Sequence, residues 1–329
     1  MNPTIDNEGV ICRVQPVCGL CGRPGAVVHS GMRDLIFGTR GEWGFRRCAD
    51  PACALLWLDP MPLPGETSKF YETYYTHAAE SSSEATAHSP RRGWKSVVKQ
   101  GLAKILFWRK HVFLSGLSYL EDMTPGRMLE IGCGNGSLLR SATGAGWRAF
   151  GIDFDANAIA AAQTIPNVEA AVGDLLSMSF GENMFDAIVM NNVIEHLPAP
   201  HQVFRECQRI LRPGGRLVMV TPNIRSLGYR QYGQDWRGLE APRHLHIFSP
   251  GTLAAFARSA QFERVAAFST AGGGTGIESL LFSQALREKR LRRGAQTDEL
   301  GAKRSIAEEV ASILVGRDVG EFAVLVAHK

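Results

Sequence analysis

Short apolar runs alternate with helical spacings through the second half of the chain. The runs that predict strands lie at 128–131, 147–152, 168–172, 185–190, 216–220, 262–268 and 321–327. Apolar positions three and four residues apart predict helices at 156–163 and 202–211, and others that begin near 137 and 250. Strands that alternate with helices are typical of a parallel sheet covered by helices on both faces. The pattern therefore predicts an α/β fold.

Three glycines at alternate positions follow the first predicted strand. Gly132, Gly134 and Gly136 precede Ser137, where a helical pattern begins, so the order is strand, tight turn, helix. Such a turn lets a ligand contact backbone. The dinucleotide fingerprint places its third glycine three positions after the second, whereas Gly136 comes two positions after Gly134. The spacing argues against an NAD-dependent oxidoreductase.

Polar side chains follow the next three predicted strands. Asp153 ends the second strand, at the distance where a carboxylate accepts hydrogen bonds from ribose hydroxyls. Asp174 follows the third strand, where it can accept a hydrogen bond from the exocyclic amine of adenine while Leu175 covers the adenine ring. The alternative is that Asp174 only forms a turn. Asn191 comes directly after the fourth strand and is expected at the crevice. These positions predict an adenosine-containing ligand.

Four of the seven cysteines form two closely spaced pairs. Cys18 and Cys21 are separated by two residues, and Cys48 and Cys53 by four. Two such pairs suit thiolates that converge on tetrahedral zinc, and four cysteines leave no open coordination position. We interpret residues 12–60 as a small zinc ribbon with a structural metal. The alternative is a set of reduced structural cysteines in two loops.

Composition narrows the class of protein without naming it. The chain has 329 residues, 45% of them hydrophobic, which suits one large domain with an appendage or two domains. The net charge of +4 gives no support for nucleic acid as a partner. Neither a basic leader with an apolar core nor a run of eighteen apolar residues occurs, so we expect no secretion and no membrane span. We place the protein in the cytoplasm, where clustered cysteines hold metal rather than disulfides.

Residues 61–115 are predicted to hold a linker and an amphipathic helix. Aromatic residues crowd 70–75, where they either line a substrate entrance or pack between the ribbon and the next domain. Apolar residues recur at helical spacing from Trp94 to Val112, with lysines and arginines among them. We expect this helix to cover the sheet; the alternative is peripheral contact with an anionic membrane surface.

The long segment 224–248 follows the fifth strand and must cross the ligand edge of the sheet. Long loops in compact domains are functional or disordered, and the aromatic content here argues against disorder. Its predicted substrate-binding residues are Tyr229, Trp236, Arg237 and Arg243. The two arginines are candidates to clamp a phosphate or carboxylate, as a nucleotide-linked sugar requires. The alternative for them is ion pairing with Glu240.

Taken together, these motifs resemble class I S-adenosylmethionine-dependent methyltransferases. The residues that carry the resemblance are 129–136, Asp153, 173–174, 185–186, 195–197 and 211–215. The stretch 242–245 and the upstream cysteines are similar to a bacterial subgroup associated with surface-glycan or secondary-metabolite pathways, and sugar C-methyltransferases have a similar cysteine-rich N-terminus. The resemblance implies a Rossmann-like seven-stranded sheet whose last strand runs antiparallel between the fifth and sixth.

The resemblance also implies a cofactor and its contacts. The methyltransferase domain would span 116–329, with Gly132, Gly134 and Gly136 near the methionine part of S-adenosylmethionine, Asp153 on the ribose and Glu130 positioning the loop or the methionine amine. The full predicted cofactor-binding set is Glu130, Gly132, Cys133, Gly134, Gly136, Asp153, Phe154, Asp174, Leu175 and Asn191. One departure is a helical insertion at about 269–320, where a short hairpin is usual. We expect it to form a cap or oligomer contact, or a solvated helical excursion.

Methyl transfer needs a nucleophile held in line with the methyl group, and an oxygen or carbon nucleophile needs its proton removed. His196, His244 and His246 are the candidate bases, since imidazole titrates near neutrality and each is expected near the crevice. His244 is the first choice because it lies in the crossing loop. The alternative for His244 is a hydrogen-bonded structural histidine. For His196, bracing of the crevice together with Glu195 is the stronger expectation.

Three functions fit these features. The first is methylation of a small metabolite, with a sugar or nucleotide-sugar as acceptor. The second is quinone or phenol O-methylation, which predicts an apolar pocket around Tyr229 and Trp236. The third is a non-catalytic zinc-ribbon adaptor that recognises RNA or protein through the basic patches at 91–92 and 287–293.

Overall fold

The computed structural model describes residues 4–71, 116–291 and 298–329. Its strands are β1 Thr4–Asp6, β2 Ile11–Arg13, β3 Gly25–Met32, β4 Trp43–Cys48, β5 Leu56–Leu58, β6 Met61–Pro62, β7 Arg127–Ile131, β8 Arg148–Asp153, β9 Val168–Val172, β10 Phe185–Asn191, β11 Leu211–Pro222, β12 His246–Ile247, β13 Val265–Thr270 and β14 Phe322–His328. Its α-helices are α1 Ser137–Gly144, α2 Ala156–Gln163, α3 Pro200–Ile210, α4 Leu227–Tyr232, α5 Pro250–Ser259, α6 Gly273–Arg290 and α7 Glu299–Leu314.

Seven strands form the central sheet in the order β13-β14-β11-β10-β7-β8-β9. Strands β7 to β11 pair in parallel, while β14 runs antiparallel to both β11 and β13. The predicted α/β sheet, with its last strand antiparallel between the fifth and sixth, is therefore confirmed. Every predicted strand and helix of this part of the chain is present within a few residues of its expected bounds.

The sheet is buried on both faces, which explains why its strands have almost continuously apolar sequences. Along β7, Leu129 and Ile131 contact one apolar cluster while Met128 contacts the other. Phe204 of α3 and Phe256 of α5 cover the first face, and Leu139 of α1 and Ile159 of α2 cover the second. The two cores fix the strand ends that form the ligand edge.

One local prediction needs correction. The tight turn expected at 212–215 lies inside the continuous strand β11. There the pairing shifts from Phe185 opposite Leu211 to Ala187 opposite Arg216. Gly214, with φ of 78°, lets the chain bulge without leaving the sheet.

Residues 4–71, which we call the N-terminal module, contain two small sheets. One is β1-β2-β6 and the other is β12-β5-β4-β3. Strand β12 comes from the segment 224–248, which we call the crossing segment; His246 pairs with Trp57 and Ile247 with Leu56. The crossing segment is therefore part of the same sheet as the N-terminal module. The prediction of an amphipathic helix before the methyltransferase-like part falls on residues outside the described ranges.

Two helices, α6 and α7, fill most of the predicted insertion. Ser283 Oγ of α6 accepts the Arg237 backbone N–H at 2.8 Å, and Arg290 donates to Asp235 at 2.6 Å. Because both partners lie in the crossing segment, the insertion packs against that segment, and its role as a cap or oligomer contact stays a prediction. Within the described ranges, no helix has the length and apolar character needed to cross a membrane.

Candidate active site

A cavity of about 1080 Å³ opens at the carboxyl ends of the parallel strands. This volume slightly exceeds the range typical of a site for one small ligand, about 300–1,000 Å³, so it has room for a cofactor and an acceptor together. Besides the strand ends and the residues that directly follow them, four parts of the chain line it: Thr67, Ser68 and Tyr71; 237–244; Thr275, Glu278, Ser279 and Phe282; and 321–322.

A row of rings gives the cavity its direction. The centroids of Phe154 and Tyr71 lie 5.2 Å apart, those of Tyr71 and His196 6.3 Å, and those of His196 and His244 4.7 Å. We call the part beside Phe154, with Gly132, Asp153 and Asp174, the cofactor end. The part beside His196 and His244 is the acceptor end.

The glycine turn at the cofactor end requires glycine. Gly132, Gly134 and Gly136 all have positive φ, at 69°, 49° and 77°. A Cβ on Gly132 would overlap the Val193 side chain. The Gly134 backbone N–H donates to Asp153 Oδ2 at 2.9 Å, and Asp153 Oδ1 accepts from Asp155 N–H at 3.0 Å. Asp153 thus fixes the turn and retains lone pairs for a ligand, since an ionised carboxylate accepts about four hydrogen bonds.

Six of the ten predicted cofactor-binding residues line the cavity: Gly132, Asp153, Phe154, Asp174, Leu175 and Asn191. Glu130, Cys133, Gly134 and Gly136 are not among the lining residues. Asp174 Oδ1 accepts from the backbone N–H groups of Leu176 and Ser177, at 2.9 and 3.1 Å. The turn-forming role is therefore present, and contact of Asp174 with adenine stays a prediction.

The polar groups at the cofactor end are mainly acceptors. Glu130 Oε2 and Asn191 Oδ1 are buried and have no hydrogen-bond partner among the described residues. Burial, reinforced by the charge of Asp153, raises the pKa of Glu130 to about 8. Buried acceptors without donors favour a ligand that brings donors and positive charge. S-adenosylmethionine has a sulfonium, an ammonium, ribose hydroxyls and an adenine amine, so these residues fit it.

His196 ends the short 3-10 helix Ile194–His196 that follows β10. Its Nδ1 lies 3.1 Å from the Arg243 carbonyl oxygen and 2.9 Å from Tyr71 Oη. A carbonyl oxygen only accepts, so Nδ1 carries the ring proton and Nε2 has the lone pair. Burial, together with the charges of Arg243 and Arg237, lowers the pKa of His196 to about 4. The ring is therefore neutral at physiological pH.

His244 is held in the same way. Its Nδ1 donates to the Gly238 carbonyl at 2.8 Å, and its Nε2 lies 3.6 Å from Glu240 Oε2. Burial and the neighbouring His196 hold the pKa of His244 well below its usual value. Both rings thus offer an unprotonated Nε2. His246, the third predicted base, is buried in β12 and does not line the cavity.

The predicted arginine clamp is occupied by protein carboxylates. The buried Arg243 guanidinium donates to both oxygens of Asp34, at 2.8 and 3.1 Å, and to Glu240 Oε1 at 2.9 Å. Arg237 is paired with Glu240 as well. The alternative of ion pairing with Glu240 is therefore what the structure shows. A role for these arginines toward substrate stays a prediction.

Two predicted substrate residues lie away from the cavity lining. Tyr229 Oη meets His29 Nε2 at 2.9 Å, against the N-terminal module. Trp236 Nε1 donates to Glu321 Oε1 at 2.6 Å and is buried. Both side chains hold the crossing segment in place, so the apolar pocket expected around them is not at the cavity.

Sequence reasoning missed several residues of the acceptor end. The sequence predicts for Tyr71 only an aromatic cluster, which either lines a substrate entrance or packs between domains. In the structure Tyr71 lines the cavity. Asp34 and Glu321 were not singled out, because neither belongs to a motif. Their partners, Arg243 and Trp236, lie 209 and 85 residues away along the chain. No local pattern signals contacts over such separations.

The four paired cysteines come together as predicted. Their Sγ atoms all lie within 4.8 Å of one another, with Cys18 and Cys53 3.6 Å apart and Cys21 and Cys48 3.4 Å apart. These distances are too long for a disulfide, whose S–S length is about 2.05 Å. A tetrahedron with Zn–S distances of about 2.3 Å requires sulfurs roughly 3.8 Å apart, which is close to the observed spacing.

Comparisons with known proteins agree with this geometry. Residues 107–267 match the family model described as "Methyltransferase domain". The chain is 29% identical over 167 residues to the ubiquinone biosynthesis O-methyltransferase of Xanthomonas oryzae pv. oryzae, covering 46% of this chain and 69% of that protein. It is 34% identical over 126 residues to a "Probable S-adenosylmethionine-dependent methyltransferase" of Mycolicibacterium smegmatis, covering 37% and 48%. The matches thus span about half to two thirds of these relatives.

Among solved structures, one similar chain is an S-adenosylmethionine-dependent methyltransferase of Thermotoga maritima, described as a possible histamine N-methyltransferase. The TM-score is 0.46 and the identity 19%, with 70% of this chain and 96% of that chain covered.

Proposed function

We propose that the class I S-adenosylmethionine-dependent methyltransferase domain carried by this chain methylates a small metabolite, with a sugar or nucleotide-linked sugar as the first acceptor class. One observation carries the proposal. A single cavity has the glycine turn and Asp153 at one end and two neutral histidines, His196 and His244, at the other.

The chain's own residues have distinct tasks in this proposal. Bound S-adenosylmethionine supplies an electrophilic methyl group on its sulfonium. Asp153 would accept hydrogen bonds from the ribose hydroxyls and Asp174 from the adenine amine, and these contacts would orient the cofactor. His244 Nε2 takes the proton of the acceptor, because Nδ1 is already committed to the Gly238 carbonyl. Glu240 Oε2, 3.6 Å from Nε2, then stabilises the imidazolium.

Charge at the acceptor end favours a polyhydroxylated group over a phosphate. The only arginines that line the described cavity, Arg237 and Arg243, are paired with Glu240, and Arg243 also with Asp34. Glu278 and Glu321 add carboxyl groups to the lining. Carboxylates accept hydrogen bonds from sugar hydroxyls and repel phosphates. We therefore expect the sugar, rather than a nucleotide phosphate, to occupy this end.

Quinone or phenol O-methylation is the second candidate. The relative in Xanthomonas oryzae, named for ubiquinone biosynthesis, favours it. The rings of Phe154, Tyr71 and Phe282 line the cavity and give a flat acceptor apolar contacts.

We extend the proposal to the N-terminal module, where Cys18, Cys21, Cys48 and Cys53 hold one structural zinc ion in the reducing cytoplasm. The spacing of the four sulfurs supports a tetrahedral metal. Since β12 of the crossing segment pairs with β5 of this module, the metal stabilises the acceptor end indirectly.

A methyl-transfer screen tests the function. The full chain is incubated with S-adenosylmethionine and acceptors in three groups, free sugars, nucleotide-sugars and phenols, and methylated product is detected by mass. We expect product with a sugar, and a loss of turnover on the order of 10²- to 10⁴-fold in His244→Gln. Normal turnover of His244→Gln at saturating acceptor would show that His244 is not the base. Product only with phenols would favour the second candidate. Salt-sensitive RNA binding without cofactor affinity would favour the adaptor.

A further inference from the structure

Arg243 contacts His196 directly and is linked to His244 through Glu240. Its carbonyl oxygen accepts from His196 Nδ1 at 3.1 Å, and this contact sets the tautomer of that ring. Its guanidinium donates to Glu240 Oε1 at 2.9 Å, and the other oxygen of Glu240 lies 3.6 Å from His244 Nε2. Arg243 therefore sets the tautomer of His196 directly, and through Glu240 it positions the carboxylate that faces His244 Nε2.

The N-terminal module holds Arg243 in place. Asp34 lies in the loop between β3 and β4 and binds the guanidinium with both oxygens, at 2.8 and 3.1 Å. The two side chains are 0% exposed. The guanidinium carbon lies 4.1 Å from the centroid of the Phe37 ring, and Arg243 Nη1 donates to Thr39 Oγ1 at 3.3 Å. Bidentate, charge-assisted pairs of this kind fix orientation as well as charge.

Asp34 is itself fixed by its own loop. Its oxygens accept the backbone N–H groups of Ile36, Phe37 and Thr39, at 2.9, 3.0 and 3.0 Å. Burial alone would raise the pKa of Asp34, but the hydrogen bonds and charge of Arg243 outweigh it and lower that pKa to about 2. The carboxylate is thus a rigid, ionised anchor.

We infer that Asp34 is a positioning residue for methyl transfer, which acts through Arg243 on His196 and His244. The inference rests on the proposed function for its kinetic consequence, and on geometry alone for its effect on the rings. It makes the loop 33–42 of the N-terminal module a working part of the acceptor end.

The first test measures the tautomers of the His196 and His244 rings and needs no methyl transfer. Histidine ring nitrogens of the ¹⁵N-labelled full chain are observed by NMR at neutral pH, with His196→Gln and His244→Gln to assign the signals. We expect His196 and His244 of the native chain as single Nδ1–H tautomers. In Asp34→Asn we expect both tautomers at His196, because the Arg243 carbonyl no longer stays at Nδ1. Identical spectra would overturn the inference.

The matched control is Asp59→Asn. Asp59 belongs to the same module and accepts from Arg46 at 2.5 Å, but neither residue lines the cavity. We expect this variant to keep the native spectra of both rings. A change equal to that of Asp34→Asn would mean that any weakening of the module disturbs the site, which contradicts a specific role for Asp34.

Kinetics separates positioning from stability. Asp34→Asn should lower kcat on the order of 10²-fold, as a displacement of about 1 Å does, and leave cofactor affinity unchanged. The double variant Asp34→Leu with Arg243→Met replaces the buried pair by apolar side chains, which often restores stability. We expect it to recover the native Tm and keep the low kcat. Recovery of kcat would reduce Asp34 to a structural role. If the native chain methylates no acceptor, the proposed function fails while the spectra still decide the inference.

Discussion

The two ends of the cavity are built in different ways. The cofactor end comes almost entirely from consecutive residues between β7 and β10, and its main tie, Gly134 to Asp153, spans 19 residues. The acceptor end is assembled from the N-terminal module, the crossing segment, α6 and residues 321–322. Its ties, Tyr71 to His196, Arg243 to Asp34 and Trp236 to Glu321, span 125, 209 and 85 residues.

This difference teaches which part of the site depends on the whole chain. A turn held by neighbouring residues forms wherever its strand and helix form. An end held by distant ion pairs forms only when every contributing segment is in place. Damage to the N-terminal module should therefore affect the acceptor end and leave the cofactor end intact.

The largest expected effect follows loss of the metal. Cys48→Ser should lose the zinc that we propose, and structural zinc contributes on the order of 10 kcal/mol in zinc-finger peptides. We expect turnover to be abolished and cofactor affinity to be retained. We would measure the zinc content of the variant, its methyl-transfer rate, and its cofactor affinity by calorimetry. Cys12→Ser is the control, because Cys12 lies in the same module outside the cluster. A loss of cofactor affinity together with turnover would show that the cofactor end also depends on the N-terminal module.

The next effect is confined to the cofactor end. Gly132→Ala places a Cβ at φ of 69° against Val193. Backbone strain of about 1–3 kcal/mol should weaken cofactor binding about 5- to 140-fold, because the turn relaxes away from its binding shape. Gly214→Ala, with φ of 78° and open space around its Cβ, should keep native affinity. Calorimetric titration measures the affinity of both variants for S-adenosylmethionine. Equal affinities would contradict the assignment of the glycine turn to the cofactor site.

The two ends should also respond differently to pH. Glu130, with its pKa raised to about 8, is protonated in the free enzyme, and a bound cation favours its carboxylate form. Cofactor binding should therefore release a proton, and affinity should rise between about pH 6 and 8 by at most about tenfold per unit. Glu130→Gln should flatten this rise.

At the acceptor end the pKa shift is in the opposite direction, and it predicts no pH dependence in this range. His196, with its pKa lowered to about 4, is already neutral above pH 5 and should add no titration to turnover between pH 5 and 8. Calorimetry in buffers of different ionisation enthalpy measures the proton release. Turnover at saturating cofactor measures the acceptor end. A cofactor affinity that does not change with pH would contradict the assignment of Glu130.

The smallest effect tests the contact between the ends. Tyr71→Phe removes the hydroxyl that meets His196 Nδ1 at 2.9 Å and keeps the ring beside Phe154. One hydrogen bond is worth about 0.5–1.5 kcal/mol, so kcat should fall about 2- to 12-fold with unchanged cofactor affinity. Tyr232→Phe, outside the cavity lining, is the matched control. An unchanged kcat in Tyr71→Phe would show that the Tyr71 hydroxyl does not contribute to turnover.

The sequence predicted the sheet because buried parallel strands and amphipathic helices have distinct periods. It also predicted that Gly132, Asp153 and Asp174 lie together at one edge of the sheet, because each follows a strand and is held by a local turn. The spacing of the four cysteines also predicted that their Sγ atoms lie together. The sequence did not predict Asp34 or Glu321, since ion pairs between distant segments have no period. For the same reason the contacts of Tyr229 with His29 and of Trp236 with Glu321 have no signal in the local sequence.

A calorimetric titration with S-adenosylmethionine tests the central claim, that the cofactor end forms independently of the acceptor end. The native chain should bind one equivalent. Asp153→Asn should bind about 12- to 140-fold more weakly, since hydrogen bonds to a charged group are worth about 1.5–3 kcal/mol. Asp34→Asn should bind like the native chain. No binding by the native chain, or equal loss in both variants, would contradict the account.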